Sequence, residues 1–218
     1  MTITKLGHCC LLIEIPAGTG VVRILTDPGI YSNSQNELKG IDFILITHEH
    51  SDHYHIESVK AVLANNSQAK IVTNSAVAAL LKKEGIACTI VAHDQSVDLK
   101  GVSLKGWGTK HAVIYKEFGQ VENTGYFIGG KLWYPGDNFT PIDWKIDVLA
   151  LPVIAPWMKS SEAIEYAIAL KPVKCFPVHD AFLEGPIGAK GFHQLPKMIL
   201  EKEGIEFIPF EAGQRAEF

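Results

Sequence analysis

A short segment rich in histidine and acidic residues offers the clearest chemistry in this sequence. It reads Thr47-His48-Glu49-His50-Ser51-Asp52-His53 and follows the apolar run Phe43-Ile44-Leu45-Ile46. Three imidazoles and the Asp52 carboxylate fall within six residues. Neutral imidazole and carboxylate are the ligands that a zinc-like cation prefers when one coordination position must stay open. The segment therefore predicts a metal site at the end of a buried strand.

The spacing within this segment indicates two groups of ligands. On extended backbone, His48 and His50 project to the same side, because side chains alternate. Where the chain turns toward a helix, Asp52 and His53 are redirected and can face a second, adjacent ion. The alternatives are a surface histidine cluster and an artificial tag. A tag would lie at a terminus, and a buried strand rarely leads into a chance HxHxDH pattern, so the metal interpretation is favoured.

The elements that must position these residues alternate between strands and helices. Apolar patterning and turn residues predict strands over 3–6, 9–15, 21–26, 43–46, 70–73, 87–92, 96–99, 102–107, 124–129, 131–136, 147–153, 174–178 and 205–210. They predict helices over 56–64, 75–85, 161–170 and 192–204. Each half of the chain has strands first and helices after. This order predicts an α/β fold of two sheets packed face to face with helices outside, built as one domain over 1–218.

Composition and charge exclude several classes of protein. The 218 residues suit one generous domain, and 47% hydrophobic with 20% charged residues rules out a disordered chain. The net charge is −4, without a block rich in lysine or arginine, which argues against a nucleic-acid partner. We therefore expect a small-molecule substrate. The oligomeric state is left open.

Targeting signals and cysteines indicate a cytoplasmic protein. The N-terminal segment lacks the apolar region and cleavage site of a signal peptide, and no apolar stretch reaches the length of a membrane span. We therefore expect no membrane association. The four cysteines, Cys9, Cys10, Cys88 and Cys175, form no CxxC pair. Buried reduced thiols are favoured over a disulfide framework, and Cys9 and Cys10 are expected on opposite faces of one strand.

The HxHxDH motif at a strand end resembles the signature of the metallo-β-lactamase superfamily, and the order of strands and helices is similar over essentially the whole chain. The resemblance implies a four-layered αβ/βα sandwich with a metal site at one edge, between the sheets. It also implies further ligands at later strand ends: His111, Asp137 in Tyr134-Pro135-Gly136-Asp137, and His179 in Phe176-Pro177-Val178-His179. One ion would be held by His48, His50 and His111, the other by Asp52, His53 and His179, and Asp137 would bridge both.

Such a site explains why these residue types are present. Two cations about 3.5–4 Å apart share a water and lower its pKa toward neutrality, which provides a hydroxide nucleophile. The resemblance implies that this hydroxide attacks the substrate and that Asp52 orients it. The ions are expected to be Zn²⁺, with Mn²⁺ or Fe²⁺ as alternatives, because His/Asp sites accept all three.

Three further residues are candidates for supporting this site. Asp27, in Thr26-Asp27-Pro28-Gly29, resembles the strand-end aspartate that supports the ligand loop in the superfamily; the alternative is a plain turn residue. His8, in Gly7-His8, resembles the N-terminal Gly-His of small members related to ascorbate-phosphate lactonase, and is expected beside the metals in a catalytic or supporting role. Otherwise it is a buried histidine satisfied by hydrogen bonds. Asp180 is either a hydrogen-bonding partner of the site or a surface carboxylate.

Departures from known subfamilies narrow the expected activity. Flavodiiron oxidoreductases have Glu where this chain has His50 and carry an additional flavodoxin domain. Glyoxalase II enzymes and β-lactamases usually have a Gly-rich continuation after the motif, where this chain has Tyr54-His55. The tRNA-processing nucleases add basic arms or domains. The resemblance thus implies a metal-dependent hydrolase of a small ester, lactone or phosphodiester. A diiron redox enzyme and a metal-holding protein without turnover remain alternatives.

Overall fold

The computed structural model describes residues 1–118, 120–181 and 188–218 of the chain. Its strands are β1 (Thr2–Gly7), β2 (Cys10–Ala17), β3 (Gly20–Thr26), β4 (Phe43–Ile46), β5 (Lys70–Thr73), β6 (Cys88–Ile90), β7 (Ser96–Leu99), β8 (Val102–Trp107), β9 (Gly125–Ile128), β10 (Leu132–Tyr134), β11 (Val148–Pro152), β12 (Lys174–Val178), β13 (Glu206–Phe207) and β14 (Arg215–Glu217). The helices are α1 (Ile56–Asn65), α2 (Ser75–Lys83), α3 (Ser160–Leu170) and α4 (Gly188–Lys202), with a 3₁₀ turn at Ser34–Glu37.

The strands form two seven-stranded sheets. The first has the order β14-β1-β2-β3-β4-β5-β6, and the second has the order β13-β12-β11-β10-β9-β8-β7. In the first sheet, β3 to β6 are parallel neighbours. In the second sheet, β10 to β13 are parallel neighbours. The remaining pairs are antiparallel, and a two-glycine turn at Gly129-Gly130, with φ of +62° and +63°, joins β9 to β10.

Three apolar cores define four layers. The central core lies between the sheets and joins residues such as Ile13 and Leu45 of the first sheet to Tyr126 and Phe176 of the second. A second core packs α1 and α2 against the outer face of the first sheet. A third packs α3 and α4 against the outer face of the second sheet. The order helix, sheet, sheet, helix confirms the predicted α/β fold class, a four-layered αβ/βα sandwich.

Sequence patterning locates most elements but misplaces several ends. The segment β14 was not predicted, because Arg215-Ala216-Glu217 lacks apolar alternation and becomes a strand only by pairing with β1. The last predicted strand, over 205–210, is reduced to β13. The fourth helix begins at Gly188 rather than at residue 192. Both ends of α2 are capped locally: the Asn74 side chain accepts from the Val77 amide at 3.1 Å, and Gly85 follows the helix with φ of +70°.

Cys9 and Cys10 face opposite sides as predicted, although Cys9 lies just before β2 rather than in the strand. Cys9 packs in the central core between the sheets, whereas Cys10 packs in the core beneath α1 and α2. All four cysteines are free, and only Cys88 is partly exposed. Within the described ranges, no helix has the length and apolar character needed to cross a membrane.

Parallel strands bring distant parts of the sequence to one edge of the sandwich. Asp27 follows β3, and His48 comes two residues after the end of β4. Asp137 comes after β10, and His179 follows β12 directly. Because parallel neighbours end at the same edge of a sheet, each sheet delivers two of these residues to one rim. The contacts described next show that the two rims meet.

Candidate metal centre

The first group of predicted ligands consists of three histidines. One ring nitrogen each from His48, His50 and His111 can be chosen so that all three lie within 4.8 Å of one another. The ring centroids are 4.6–5.0 Å apart. His48 and His111 are buried, and His50 is half-buried. The structure therefore brings together the three residues expected around the first ion.

The second group contains Asp52, His53 and His179, with His8 added. One ligand atom from each of these residues lies within 4.8 Å of the others. Asp52 Oδ2 is 3.7 Å from His53 Nε2 and 3.4 Å from His179 Nε2. The two groups are adjacent, since the rings of His48 and His53 are only 4.0 Å apart. The arrangement provides two neighbouring clusters with different donor sets.

Asp137 lies between the two groups and touches both. Its Oδ2 is 3.4 Å from His111 Nε2 and 2.9 Å from His179 Nε2, while Oδ1 is 3.1 Å from His53 Nε2. The preceding Gly136 has φ of +64°, and a side chain there would collide with Asn123. Asn123 in turn accepts from the Asp137 amide and donates to the Pro135 carbonyl, both at 3.0 Å. The tight turn thus holds the Asp137 carboxylate at the position expected of a bridge.

Four of the histidine rings are oriented by hydrogen bonds from Nδ1. His53 Nδ1 donates to Asp27, His111 Nδ1 to the Ala112 carbonyl, and His179 Nδ1 to the Ile154 carbonyl, at 2.6–2.8 Å. His48 Nδ1 lies 3.0 Å from the Thr47 hydroxyl. Since that hydroxyl donates to Asp27, its lone pair accepts from His48. In each ring Nε2 therefore faces the centre, which is the orientation that metal-bound histidines require.

Buried atoms without hydrogen bonds show that the centre suits a cation. Among the described residues, Nε2 of His48, His53 and His111 and Oδ1 of Asp137 are buried and make no hydrogen bond of acceptable geometry. Buried polar atoms are normally satisfied, because leaving one unpaired costs about 1–3 kcal/mol. Converging donors of nitrogen and carboxylate type fit one or two divalent ions, and we interpret the cluster as a metal centre.

The charges of the cluster point to the same chemistry. Burial lowers the pKa of His48 well below its ordinary value, so the ring is neutral and keeps a lone pair on Nε2. Burial alone would also lower the pKa of His53 and His179, but the Asp137 carboxylate raises both well above the usual range. Burial would raise the pKa of Asp137, yet the charges of His179 and His53 hold it well below. Positive charge is thus stabilised at this centre, whether carried by protons or by a cation.

Asp27 supports the centre through hydrogen bonds that orient the metal-ligand histidines. It is fully buried, and its carboxylate accepts four hydrogen bonds: from the Thr47 amide and hydroxyl at 2.8 Å, from His53 Nδ1 at 2.8 Å, and from the Tyr134 hydroxyl at 2.5 Å. It therefore orients His53 directly and His48 through Thr47. Sequence reasoning selected Asp27 but missed Thr47 and Tyr134, whose relevance depends on this contact.

His8 is buried beside the second group. Its Nδ1 accepts from the Ala181 amide at 3.3 Å, so the proton resides on Nε2, which lies 3.2 Å from Asp52 Oδ2. Burial lowers the pKa of His8 to about 4. Burial alone would raise the pKa of Asp52, but hydrogen bonds from His179 and His8 hold it below its ordinary value. His8 is therefore a neutral donor that orients the Asp52 carboxylate.

Asp180 is buried, which excludes the alternative of a surface carboxylate. Its hydrogen bonds to described residues go to Lys5 Nζ at 2.7 Å and His193 Nε2 at 3.0 Å. Its connection to the centre is the peptide bond to His179, the residue before it in the sequence. His55, His93 and His193 have no predicted ligand role. Like His193, the first two lie outside the centre: His55 contacts Ser58, and His93 packs against Trp107.

Three site residues adopt the left-handed backbone region that non-glycine residues avoid. These are His8, Asp27 and His179, with φ of +50°, +36° and +61°. Such a conformation costs about 1–3 kcal/mol and persists only where surrounding contacts impose it. In each case the hydrogen bonds described above hold the side chain. The strain marks this rim as a functional position.

A cavity of about 290 Å³ opens onto the centre. Its walls combine ligand residues with an apolar side formed by Ile114, Pro156 and Trp157. Trp157 Nε1 also donates to Asp137 Oδ2 at 2.8 Å. From the sequence, Trp157 is more typical of a core residue, and its Ala-Pro-Trp-Met segment offers a cleft wall as the alternative. The structure shows the alternative, together with a bond to Asp137 that the sequence does not predict. Phe182, expected in the core, lies outside the described residues.

Comparison with known proteins identifies the family of the chain. A family model described as "Beta-lactamase superfamily domain" matches residues 2–179. Protein Rv0786c of Mycobacterium tuberculosis is 35% identical over 188 residues, covering 84% of this chain and 85% of the relative. A UPF0173 metal-dependent hydrolase, Ta0764 of Thermoplasma acidophilum, is 27% identical over 183 residues, covering 79% and 80%.

Solved structures share the architecture at low identity. Igni18, a metallo hydrolase from Ignicoccus hospitalis, matches with a TM-score of 0.77 and 20% identity, covering 100% of this chain and 98% of that one. CmlA, a diiron β-hydroxylase from Streptomyces venezuelae, matches with a TM-score of 0.72 and 13% identity, covering 100% and 54%. These likenesses concern the fold alone. The family model, which spans most of the chain, and the relative that is 35% identical show that the chain belongs to the metallo-β-lactamase superfamily.

Proposed function

We propose that this protein is a metal-dependent hydrolase that holds two divalent ions, most suitably Zn²⁺, and cleaves small carboxylic esters or lactones. The observation that carries the proposal is the pair of adjacent donor groups with inward-facing Nε2 atoms, joined by Asp137. His48, His50 and His111 would hold one ion, and Asp52, His53 and His179 the other. Relatives named metal-dependent hydrolases support the reaction class.

The bound ions would supply a hydroxide nucleophile at neutral pH and polarise the carbonyl oxygen of the substrate. The chain itself performs the positioning. Asp137 spans both groups and is fixed by the Trp157 N–H. Asp52 is held as a carboxylate by His8, so that its Oδ2 can accept a hydrogen bond from the attacking water. Asp27 keeps the ring of His53 from turning, and through Thr47 it also restrains the ring of His48.

The walls of the cavity favour an uncharged substrate. Among the described residues that line it, none is lysine or arginine, and the wall opposite the ligands is apolar. A phosphodiester would meet no lysine or arginine among these described lining residues, whereas the acyl part of an ester would contact Ile114 and Trp157. The net charge of −4 likewise disfavours a polyanion. The free cysteines suit a reducing, cytoplasmic setting.

Metal analysis combined with two kinds of substrate tests the proposal. Purified protein, His48→Ala, Asp137→Ala and the control His93→Ala are loaded with Zn²⁺ and desalted. We expect close to two ions per chain in the wild type and the control, and a loss of bound metal in the two site variants. Hydrolysis of p-nitrophenyl butyrate, γ-butyrolactone and bis(p-nitrophenyl) phosphate is then compared.

The outcomes separate the parts of the proposal. Hydrolysis of the ester or lactone by the wild type and control, lost in both site variants, supports it. Preference for the phosphodiester overturns the substrate class but leaves a hydrolase. In a third outcome, the wild type is fully loaded with metal but hydrolyses none of the three substrates faster than His48→Ala does. That result contradicts the hydrolase function and favours a metal-holding protein.

A further inference from the structure

Cys9 lies at the floor of the metal centre, although its sequence context suggested only a core residue. It sits in the connection between β1 and β2, is 1% exposed and packs in the core between the sheets. Its sulfur, one nitrogen of His53 and one carboxylate oxygen of Asp137 all lie within 4.8 Å of one another. The thiol therefore borders the second donor group from within the core between the sheets.

The two partners of Cys9 carry the second observation. His53 and Asp137 are 0% and 2% exposed, and His53 Nε2 and Asp137 Oδ1 are buried without a hydrogen bond. These two atoms lie 3.1 Å apart. His53 Nδ1 is already committed to Asp27, so Nε2 is the atom left for another ligand. Two buried, unsatisfied donor atoms thus face the space that the thiol also borders.

The separations suit a common ion. With bonds of about 2.3 Å to sulfur and 2.0 Å to nitrogen, two ligand atoms lie about 3.5 Å apart at a tetrahedral ion and about 4.3 Å apart when opposite each other. All three ligand atoms of the Cys9 group lie within 4.8 Å of one another, a limit that includes this range. His48, His50 and His111 offer nitrogen alone, so a thiol would distinguish the second group from the first.

We propose that Cys9, as a thiolate, is an additional ligand of the ion held by Asp52, His53, His179 and Asp137. The inference rests on the two-metal centre proposed above and adds a sulfur donor to one of its sites. On coordination the sulfur donates a lone pair to the ion, and the thiol proton passes to solvent. Because thiolate is a soft ligand, this site should prefer Zn²⁺ or Co²⁺ to Mn²⁺.

Cobalt substitution tests the proposal with a readout that does not depend on turnover. Metal-free protein is titrated with Co²⁺ under anaerobic conditions, and its absorption spectrum is recorded. Coordination by thiolate produces an intense near-ultraviolet charge-transfer band, whereas nitrogen and oxygen ligands produce only weak visible bands. Cys9→Ser is compared with Cys10→Ser, the matched control, because Cys10 is equally buried but faces the core beneath α1 and α2.

We expect the near-ultraviolet band in the wild type and in Cys10→Ser, and its loss in Cys9→Ser with the visible bands retained. A wild type that binds two Co²⁺ ions without this band, or a band that survives in Cys9→Ser, overturns the inference and leaves the hydrolase proposal intact. If Cys9→Ser fails to fold, the absence of the band from the wild type still overturns the inference. Failure of the wild type to bind Co²⁺ at all would instead refute the metal centre.

Discussion

A buried lysine ties the N-terminal strand to the loop that carries His179. Lys5, on β1, is 1% exposed, and its Nζ donates to Asp180 Oδ2 at 2.7 Å, to the Pro177 carbonyl at 2.8 Å and to the Phe210 carbonyl at 3.0 Å. All three donor positions of the ammonium group are used. We predict that Lys5→Met, which keeps the length of the side chain but removes its donors, strongly destabilises the protein.

The magnitude follows from what the substitution leaves behind. Asp180 would remain a buried carboxylate with His193 as its other described partner, and breaking one side of a buried ion pair costs about 3–5 kcal/mol. The two carbonyls lose their donor, at about 1–3 kcal/mol each unless water replaces it. We therefore expect a loss of at least about 4 kcal/mol, a large part of the roughly 5–15 kcal/mol that stabilises a domain.

Asp180, the carboxylate that pairs with Lys5, provides an internal check of this magnitude. In Lys5→Met/Asp180→Asn the buried charge is gone, and only the carbonyls lack their donor. The double variant should therefore be more stable than Lys5→Met by about 2 kcal/mol, since removing both members of a buried pair costs less than removing one. Lys60→Met is the matched control: Lys60 is 43% exposed, and losing its ion pairs should cost less than about 1 kcal/mol.

Urea unfolding of chelator-treated protein, followed by fluorescence of the four tryptophans, measures these differences without contributions from bound metal. The chelator removes the influence of the metal centre on stability. The reasoning is refuted if Lys5→Met loses no more free energy of unfolding than Lys60→Met. It is also refuted if Lys5→Met/Asp180→Asn is no more stable than Lys5→Met.

Three other predictions concern separate contacts. Trp157→Phe removes the donor to Asp137 but keeps an aromatic wall, so kcat should fall about tenfold while KM for an apolar ester changes little; an unchanged kcat would contradict this role. Gly29→Ala should lower stability by about 1–3 kcal/mol in thermal unfolding, because the new methyl group collides with the Asp52 backbone carbonyl. Gly20→Ala, with open space around it, should stay within about 0.5 kcal/mol of the wild type, and equal losses would refute the steric argument. At Asp42, burial alone would raise the carboxyl pKa, but hydrogen bonds from Lys100 and the Arg23 amide hold it below its ordinary value. The resulting stability is present above the ordinary pKa and is lost as pH falls through the lower folded value. The small advantage of wild type over Asp42→Asn should therefore shrink as pH falls below about 4 in urea titrations, and an advantage that grows with acid would refute the sign.

Local signals in the sequence were sufficient for most of the fold. Alternating or continuous apolar runs such as Phe43–Ile46 predict buried strands, and Gly85 predicts the end of a helix, because these preferences depend on neighbouring residues. The pattern fails where tertiary pairing decides. β14 has no apolar periodicity and exists through its ladder with β1, whereas the apolar run at 205–210 keeps only two residues in the sheet.

The sequence by itself determined which residue types could bind metal and roughly where the strands would deliver them. His48, His50, Asp52 and His53 belong to one short segment, so their proximity follows from chain connectivity. The tertiary structure alone decided the contacts between distant segments: Asp27 beneath His53, Trp157 against Asp137, Lys5 on Asp180, and Cys9 at the floor of the centre. These depend on how the two sheets pack and register against each other, which is set by the summed burial of a central core rather than by any local preference of the residues involved.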